Sequence, residues 1–218
     1  MIPRWLTVAV VAALLQFVPV PSGAAPSQPP LKPGTTWMYR YTIAPTSGAR
    51  RTGTLKLTYG GMTTYRGKNY YYTEATNTVT PGLVARDYYV WTHGHFRQAA
   101  EQAYDAQNNG LEIQFDKTFP FDIPERVSGH AALVQNGVPQ GDVPWSVAVT
   151  YGGAVKVTVP AGTFQAERWD TKFQFGDTRQ LQTVETMGYT DLRAEVKHYL
   201  GAALSSTTTR ELVSGPVL

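Results

Sequence analysis

The chain has 218 residues, 42% hydrophobic and only 16% charged, with 12% aromatics, 20 glycines and no cysteine. That composition excludes a disulfide scaffold, thiol chemistry and a lipid-anchored cysteine, and points to a globular core held by packing alone. Nineteen Lys and Arg against sixteen Asp and Glu, interspersed along the chain, give no nucleic-acid footprint and no polybasic membrane stripe.

The first 25 residues read as a signal peptide. Arg4 supplies the positive start, Leu6 to Val18 the apolar run, and Ser22-Gly23-Ala24-Ala25 the small residues for cleavage after Ala24 or Ala25. Pro19 and Pro21 end the run before it reaches the ~20 residues of a spanning helix. With Arg4 removed, the expected net charge is +2. Residues 26–30 form a Pro/Ser-rich tether, and 31–214 a single β domain.

Trp37, Tyr39, Tyr41 and Ile43 alternate with polar residues, the period of a half-buried strand. Leu55, Leu57 and Tyr59 repeat the pattern in GTLKLTYGG. KNYYYTEAT and RDYYVWTH are aromatic strands. Residues 96–107, FRQAAEQAYDAQ, have helix-forming composition and are read as a short helix or a hairpin loop. LEIQF, PWSVAVTY, RQLQTVETM, AEVKHYL and STTTRELV complete about ten strands separated by Gly, Pro and Asn turns. TYGG stands at 58–61 and again at 150–153, read as two turns, with the repeat suggesting a duplicated hairpin unit.

Residues 157–173, VTVPAGTFQAERWDTKF, form a hairpin. Pro160 presets φ for a type I turn and Gly162 takes the left-handed position that closes it. In that geometry Val159 faces Thr163, Val157 faces Gln165 and Val155 faces Glu167, with Trp169, Phe173 and Phe175 on the valine face. PLKPGTTWMYRY near the mature N-terminus and VTVPAGTFQAERW together resemble a family of exported bacterial β-proteins of unknown function (TapB-like). MGYTDLRAEVKHYL resembles its late aromatic segment, with Ala194 where the family has Gly. The resemblance implies a curved sheet or incomplete barrel, distantly similar to periplasmic lipoprotein-carrier folds, and brings no catalytic residues.

Candidate chemistry is sparse. If extended, His93-Gly94-His95 would place two imidazoles on one face, with His130, His198 or Asp87 as a third ligand. The plainer reading is a glycine turn with exposed histidines, and no metal or cofactor is assigned. Glu167, Glu185 and Glu195 fall on different strands, and Asp170 and Asp177 are solvated, so no acid–base pair assembles. Glu167 and Gln165 read as the wet rim of the hairpin. Nucleophile, phosphate-loop and dinucleotide motifs are absent.

Tyr70-Tyr71-Tyr72 and Tyr88-Tyr89 put aromatics on both faces of their strands. Either the second face is covered or the sheet curves around an apolar cavity of the kind that holds amphiphiles. The expected protein is therefore mainly β, a strongly curved antiparallel sheet or incomplete β-barrel with at most one or two short helices. The leading function is non-enzymatic: binding or carrying an apolar or amphiphilic small molecule in the cell envelope. Trp37, Tyr39, Tyr71, Trp145, Trp169 and Phe173 are expected to line the ligand site. The competing reading is a module that docks an envelope protein through a sheet edge or aromatic face; an enzyme ranks third. Nucleic acid is excluded as a partner, and the cleaved chain is not an integral membrane protein.

Overall fold

The computed structural model describes residues 29–107 and 109–217. The segments read as leader and cleavage site, and most of the expected tether, lie outside them. Alternating apolar and polar residues form twelve antiparallel strands: β1 Thr36–Pro45, β2 Arg51–Tyr65, β3 Lys68–Asn77, β4 Val84–Thr92, β5 His95–Tyr104 and β6 Gly110–Phe119, then β7 Glu125–Gln135, β8 Val138–Val159, β9 Gly162–Phe175, β10 Thr178–Met187, β11 Thr190–Leu200 and β12 Ala203–Ser214. Each pairs with its neighbours in sequence, and β1 closes on β12 to make a complete barrel. Docking through a sheet edge, one form of the competing reading, loses its basis because closure consumes both edges.

The alternation points apolar residues inward. Trp37, Tyr39, Leu57, Ile113, Leu133, Val147 and Trp169 are all buried in one cluster, while Arg40, Lys56, Lys172 and Glu195 face out. This is the reverse of a lipid-facing barrel, whose outer band is apolar. Among the described residues no helix is long and apolar enough to cross a membrane.

Residues 96–107 correct the helix reading. They form β5 and the start of its following turn, although the alanines favour helix intrinsically. Pairing with β4 and β6 overrides propensity, and a register break at Ala99 resets the alternation. Phe96, Gln98, Glu101 and Ala103 are all buried. Ala99 and Ala100 instead lie in a separate cluster with Tyr70 and Tyr88.

Neither TYGG segment is a turn. Both are bulges inside long strands, with Gly60 the unpaired residue in β2 and Gly152 in β8. The following glycines, Gly61 and Gly153, have φ of +82° and +93°, a conformation other residues resist. The bulge bends β8, so that its far half and the start of β9 fold over one end of the barrel. Ala161 N–H at the hairpin tip donates to Leu212 O of β12 at 3.0 Å. Val157, Val159 and Ala166 are buried beneath this lid, each valine contributing about 2 kcal/mol by burial. Pro216 O completes the closure by accepting from Trp37 Nε1 at 2.9 Å and Thr190 Oγ1 at 2.8 Å.

The lid hairpin is one residue tighter than expected. Val159 pairs with Gly162, Val157 with Phe164 and Val155 with Ala166, so the loop is Pro160-Ala161 alone. A one-residue slip exchanges faces: Phe164 and Ala166 turn toward the core, and Gln165 and Glu167 oppose Lys156 and Ala154 outside. The bulge at Gly152 then resets the alternation, and Trp169 and Phe173 are buried in the core cluster with Val157 and Val159.

Candidate interior binding site

The barrel interior holds a charged centre. Arg210 on β12 forms an ion pair with Asp191 on β11, both almost fully enclosed at 6% and 1% side-chain exposure. The guanidinium lies 5.9 Å from the Tyr39 ring centroid. Asp191 reaches the interior because the β10–β11 register breaks beside Glu185 and Thr186, leaving both Asp191 and Leu192 buried.

On the facing wall, Thr73, Asp87 and Glu101 are direct cross-strand neighbours on β3, β4 and β5. Gln98 Nε2 donates to Asp87 Oδ1 at 3.1 Å, and the Tyr89 hydroxyl bonds Asp87 as well. Burial pushes both carboxyls well above their usual range. For Asp87 the field of Arg210 and the Tyr89 hydrogen bond oppose that rise; for Glu101 the neighbouring Asp87 adds to it. Two enclosed carboxylates side by side cannot both stay ionised. The pair therefore shares a proton.

Because Arg210 faces Asp87, the rows next to them face each other too. One step toward the open end, β9 to β12 present Thr171, Gln182 and Thr208. A further step presents Gln180, His198 and Ser206. Opposite runs a row of small residues, Ala75, Ala85 and Ala103, paired across β3, β4 and β5. All nine side chains are buried. His198 Nε2 lies 3.2 Å from Thr208 Oγ1, and burial lowers its pKa to about 4, so the ring is neutral at physiological pH.

Several of these polar atoms have no hydrogen-bond partner among the described residues: Gln98 Oε1, Glu101 Oε1, Gln180 Oε1, Ser206 Oγ and the indole Nε1 of Trp169. A buried orphan costs about 1–3 kcal/mol, so each calls for a partner from outside the chain, an ordered water or a ligand. Amides, hydroxyls and a neutral imidazole facing a wall of alanines suit the uncharged polar end of a small molecule.

The six expected lining residues are distributed around the interior. Trp145 and Phe173 stack at 6.5 Å within an aromatic block that includes Phe115 and Phe119. Tyr39 lies beside Arg210, and Trp169 shares the cross-strand row of Arg210 through Val184 and Ala194. Trp37 sits under Pro216 at the lidded end. Tyr71, half-buried, packs on Tyr59 and Phe96.

Other candidates separate. His93 and Gly94 form the β4–β5 turn with φ of +52° and +85°, so His93 and His95 do not share a face. His95 Nδ1 instead lies 2.9 Å from Asp122 Oδ2. His130 is exposed on β7, and His198 is inside. Glu185 pairs with Arg193, Glu195 with Lys197 and Asp170 with Arg168. Outside the barrel, Tyr65 stacks on Tyr88 at 4.2 Å with Tyr70 edge-on at 6.1 Å from Tyr88, so the outward tyrosines largely cover one another. This cluster is the second aromatic face anticipated from the sequence.

Arg210 and Asp191 escaped the sequence reading, although Arg210 alternates with Thr208 and Leu212 and so belongs to the inward face of its strand. Glu101 was hidden by the helix-like composition around it.

No family model and no curated protein matches this sequence. Among solved structures, the chain is similar to an inferred lipoprotein from Parabacteroides distasonis, at 11% identity and a TM-score of 0.47, over 88% of this chain and 100% of that one. It is also similar to an inferred exported protein with YmcC-like fold from Bacteroides fragilis, at 15% identity and a TM-score of 0.44, over 92% of this chain and 98% of the other.

Proposed function

We propose that this chain is an exported, non-enzymatic barrel that binds a small amphiphile in its interior. The polar end of the ligand would lie against Gln180, Gln182, His198 and Ser206. Its apolar body would lie against the alanine row and the aromatic wall formed by Tyr39, Trp169, Trp145 and Phe173, with Trp37 and Tyr71 completing the lining. The observation that carries this reading is the row of inward polar residues on β9 to β12 facing Ala75, Ala85 and Ala103. A core built only for stability gains most from apolar residues at such positions. Twelve strands also enclose more room than the eight that side chains alone can fill. Entry is expected at the end opposite the lid, between the β1–β2, β3–β4 and β11–β12 loops.

The first test is native mass spectrometry of the mature protein purified without detergent, followed by Trp-fluorescence titration with a fatty alcohol and a lysophospholipid. A retained lipid-like mass, or saturable binding weakened about tenfold by Gln180→Leu with Ser206→Ala in a folded barrel, supports the reading. An apo mass together with no fluorescence response to either probe refutes it.

A further inference from the structure

A groove lies on the outer wall, away from the interior. The pairing of β7 to β10 brings two cross-strand rows side by side. One reads Arg126, Ala148, Lys172 and Leu181; the other reads Ser128, Ser146, Gln174 and Arg179. The short side chains of Ser128, Ser146 and Ala148 sit between long cationic ones, and the difference in length hollows a groove of about 360 Å³.

Its electrostatics are one-sided. Arg126, Lys172 and Arg179 line the groove and no carboxylate does. None of the three forms an ion pair among the described residues, whereas eight other Arg and Lys side chains there do. Two nearby acids are engaged elsewhere. Asp116 Oδ1 accepts from Trp145 Nε1 at 3.1 Å, and Asp170 Oδ1 accepts from Thr183 Oγ1 at 2.6 Å. Arg179 is held in place over the Tyr199 ring at 4.3 Å. On a chain whose net charge is only +3, three cations without an ion-pair partner around one hollow make a local positive potential that favours an anion there.

We infer that this groove binds a saccharide carrying two or more phosphate or sulfate groups. Arg126 and Lys172 stand two strands apart, about 10 Å at the usual strand spacing, so they suit separate anionic groups. Arg179 adds a third contact on the next strand, with the planar fork that matches phosphate and sulfate oxygens. Between them Ser128 and Ser146 offer hydroxyls, and Gln174, whose Nε2 donates to Gly176 O at 2.6 Å, offers its amide oxygen to a sugar's hydroxyls. A free anionic polysaccharide and a glycolipid headgroup share this chemistry.

Two probes separate the sources: a heparin octasaccharide followed by calorimetry, and flotation with vesicles containing phosphatidylinositol bisphosphate. Binding in either arm should weaken about tenfold in Arg126→Gln and in Lys172→Gln, one charge-assisted contact each. It should also fall steeply with added salt. Lys56→Gln, on the opposite wall, serves as the control and should bind as the unaltered chain does. A response to the octasaccharide assigns a free polymer, and a response to vesicles alone assigns a headgroup. Equal loss in the Lys56 control reduces the effect to general charge and overturns the inference, as does no binding in both arms. Unchanged thermal midpoints confirm that the variants are folded.

Discussion

Replacing His198 with Gln isolates the neutral imidazole of the interior wall. Burial lowers its pKa from 6.5 to about 4. The unfolded chain therefore binds a proton at this site before the folded one does, and stability must fall as pH drops from 6.5 toward 4. The full shift corresponds to about 3 kcal/mol, most of it lost by about pH 4.5. Glutamine retains a hydrogen-bonding group facing Thr208 but does not titrate. Urea unfolding at about pH 7.5 and about pH 4.5 should show the unaltered protein losing about 2.5 kcal/mol more than the His198→Gln variant between the two conditions. Taking the difference between variants removes the contribution of Asp87 and Glu101, which is common to both. Parallel stability–pH curves for the two proteins would refute the enclosed, neutral histidine, and with it the polar wall as described.

The remaining predictions concern charge and backbone. Glu101→Gln should become progressively more favourable relative to the unaltered chain as pH rises above 4.5. Its folded pKa is raised by burial and by Asp87, so the ionisable residue costs stability in that direction; a constant difference across pH would contradict the shared proton. Arg210→Met should destabilise by about 3–5 kcal/mol because it removes the cation from enclosed Asp191, and Arg210→Met with Asp191→Leu should recover most of the loss in the same urea assay. Gly61→Ala meets both a φ of +82° and Pro33 Cγ at 2.7 Å, whereas Gly153→Ala meets only a φ of +93° in open space. Thermal unfolding should therefore show about 1 kcal/mol for the second and roughly twice that for the first.

The hairpin shows why the local reading went as far as it did. Val155, Val157 and Val159 alternate, and Pro160 with Gly162 marks a turn; both features follow from nearest-neighbour chemistry. Whether the loop holds two residues or three is a matter of a fraction of a turn, and that fraction exchanged the faces of Gln165 and Phe164. The wet placement of Gln165 and Glu167 nevertheless stands, since both oppose outer-face residues. The alanines of residues 96–107 went the other way: their composition favours helix, and only pairing with β4 and β6 makes them a strand.

By itself, the sequence determined a β-rich chain without disulfides, an alternating pattern with aromatic inward faces, and a hairpin at Pro160, because side-chain period and turn chemistry act over a few residues. Only the tertiary structure decided that β1 meets β12, that Gly60 and Gly152 are bulges rather than turns, and that Arg210 lies between Tyr39 and Asp191. It likewise joined Arg126, Lys172 and Arg179 on one wall. Those relations depend on which strands lie opposite or beside one another after closure, and residues as far apart as Asp87 and Arg210 carry no local mark of it.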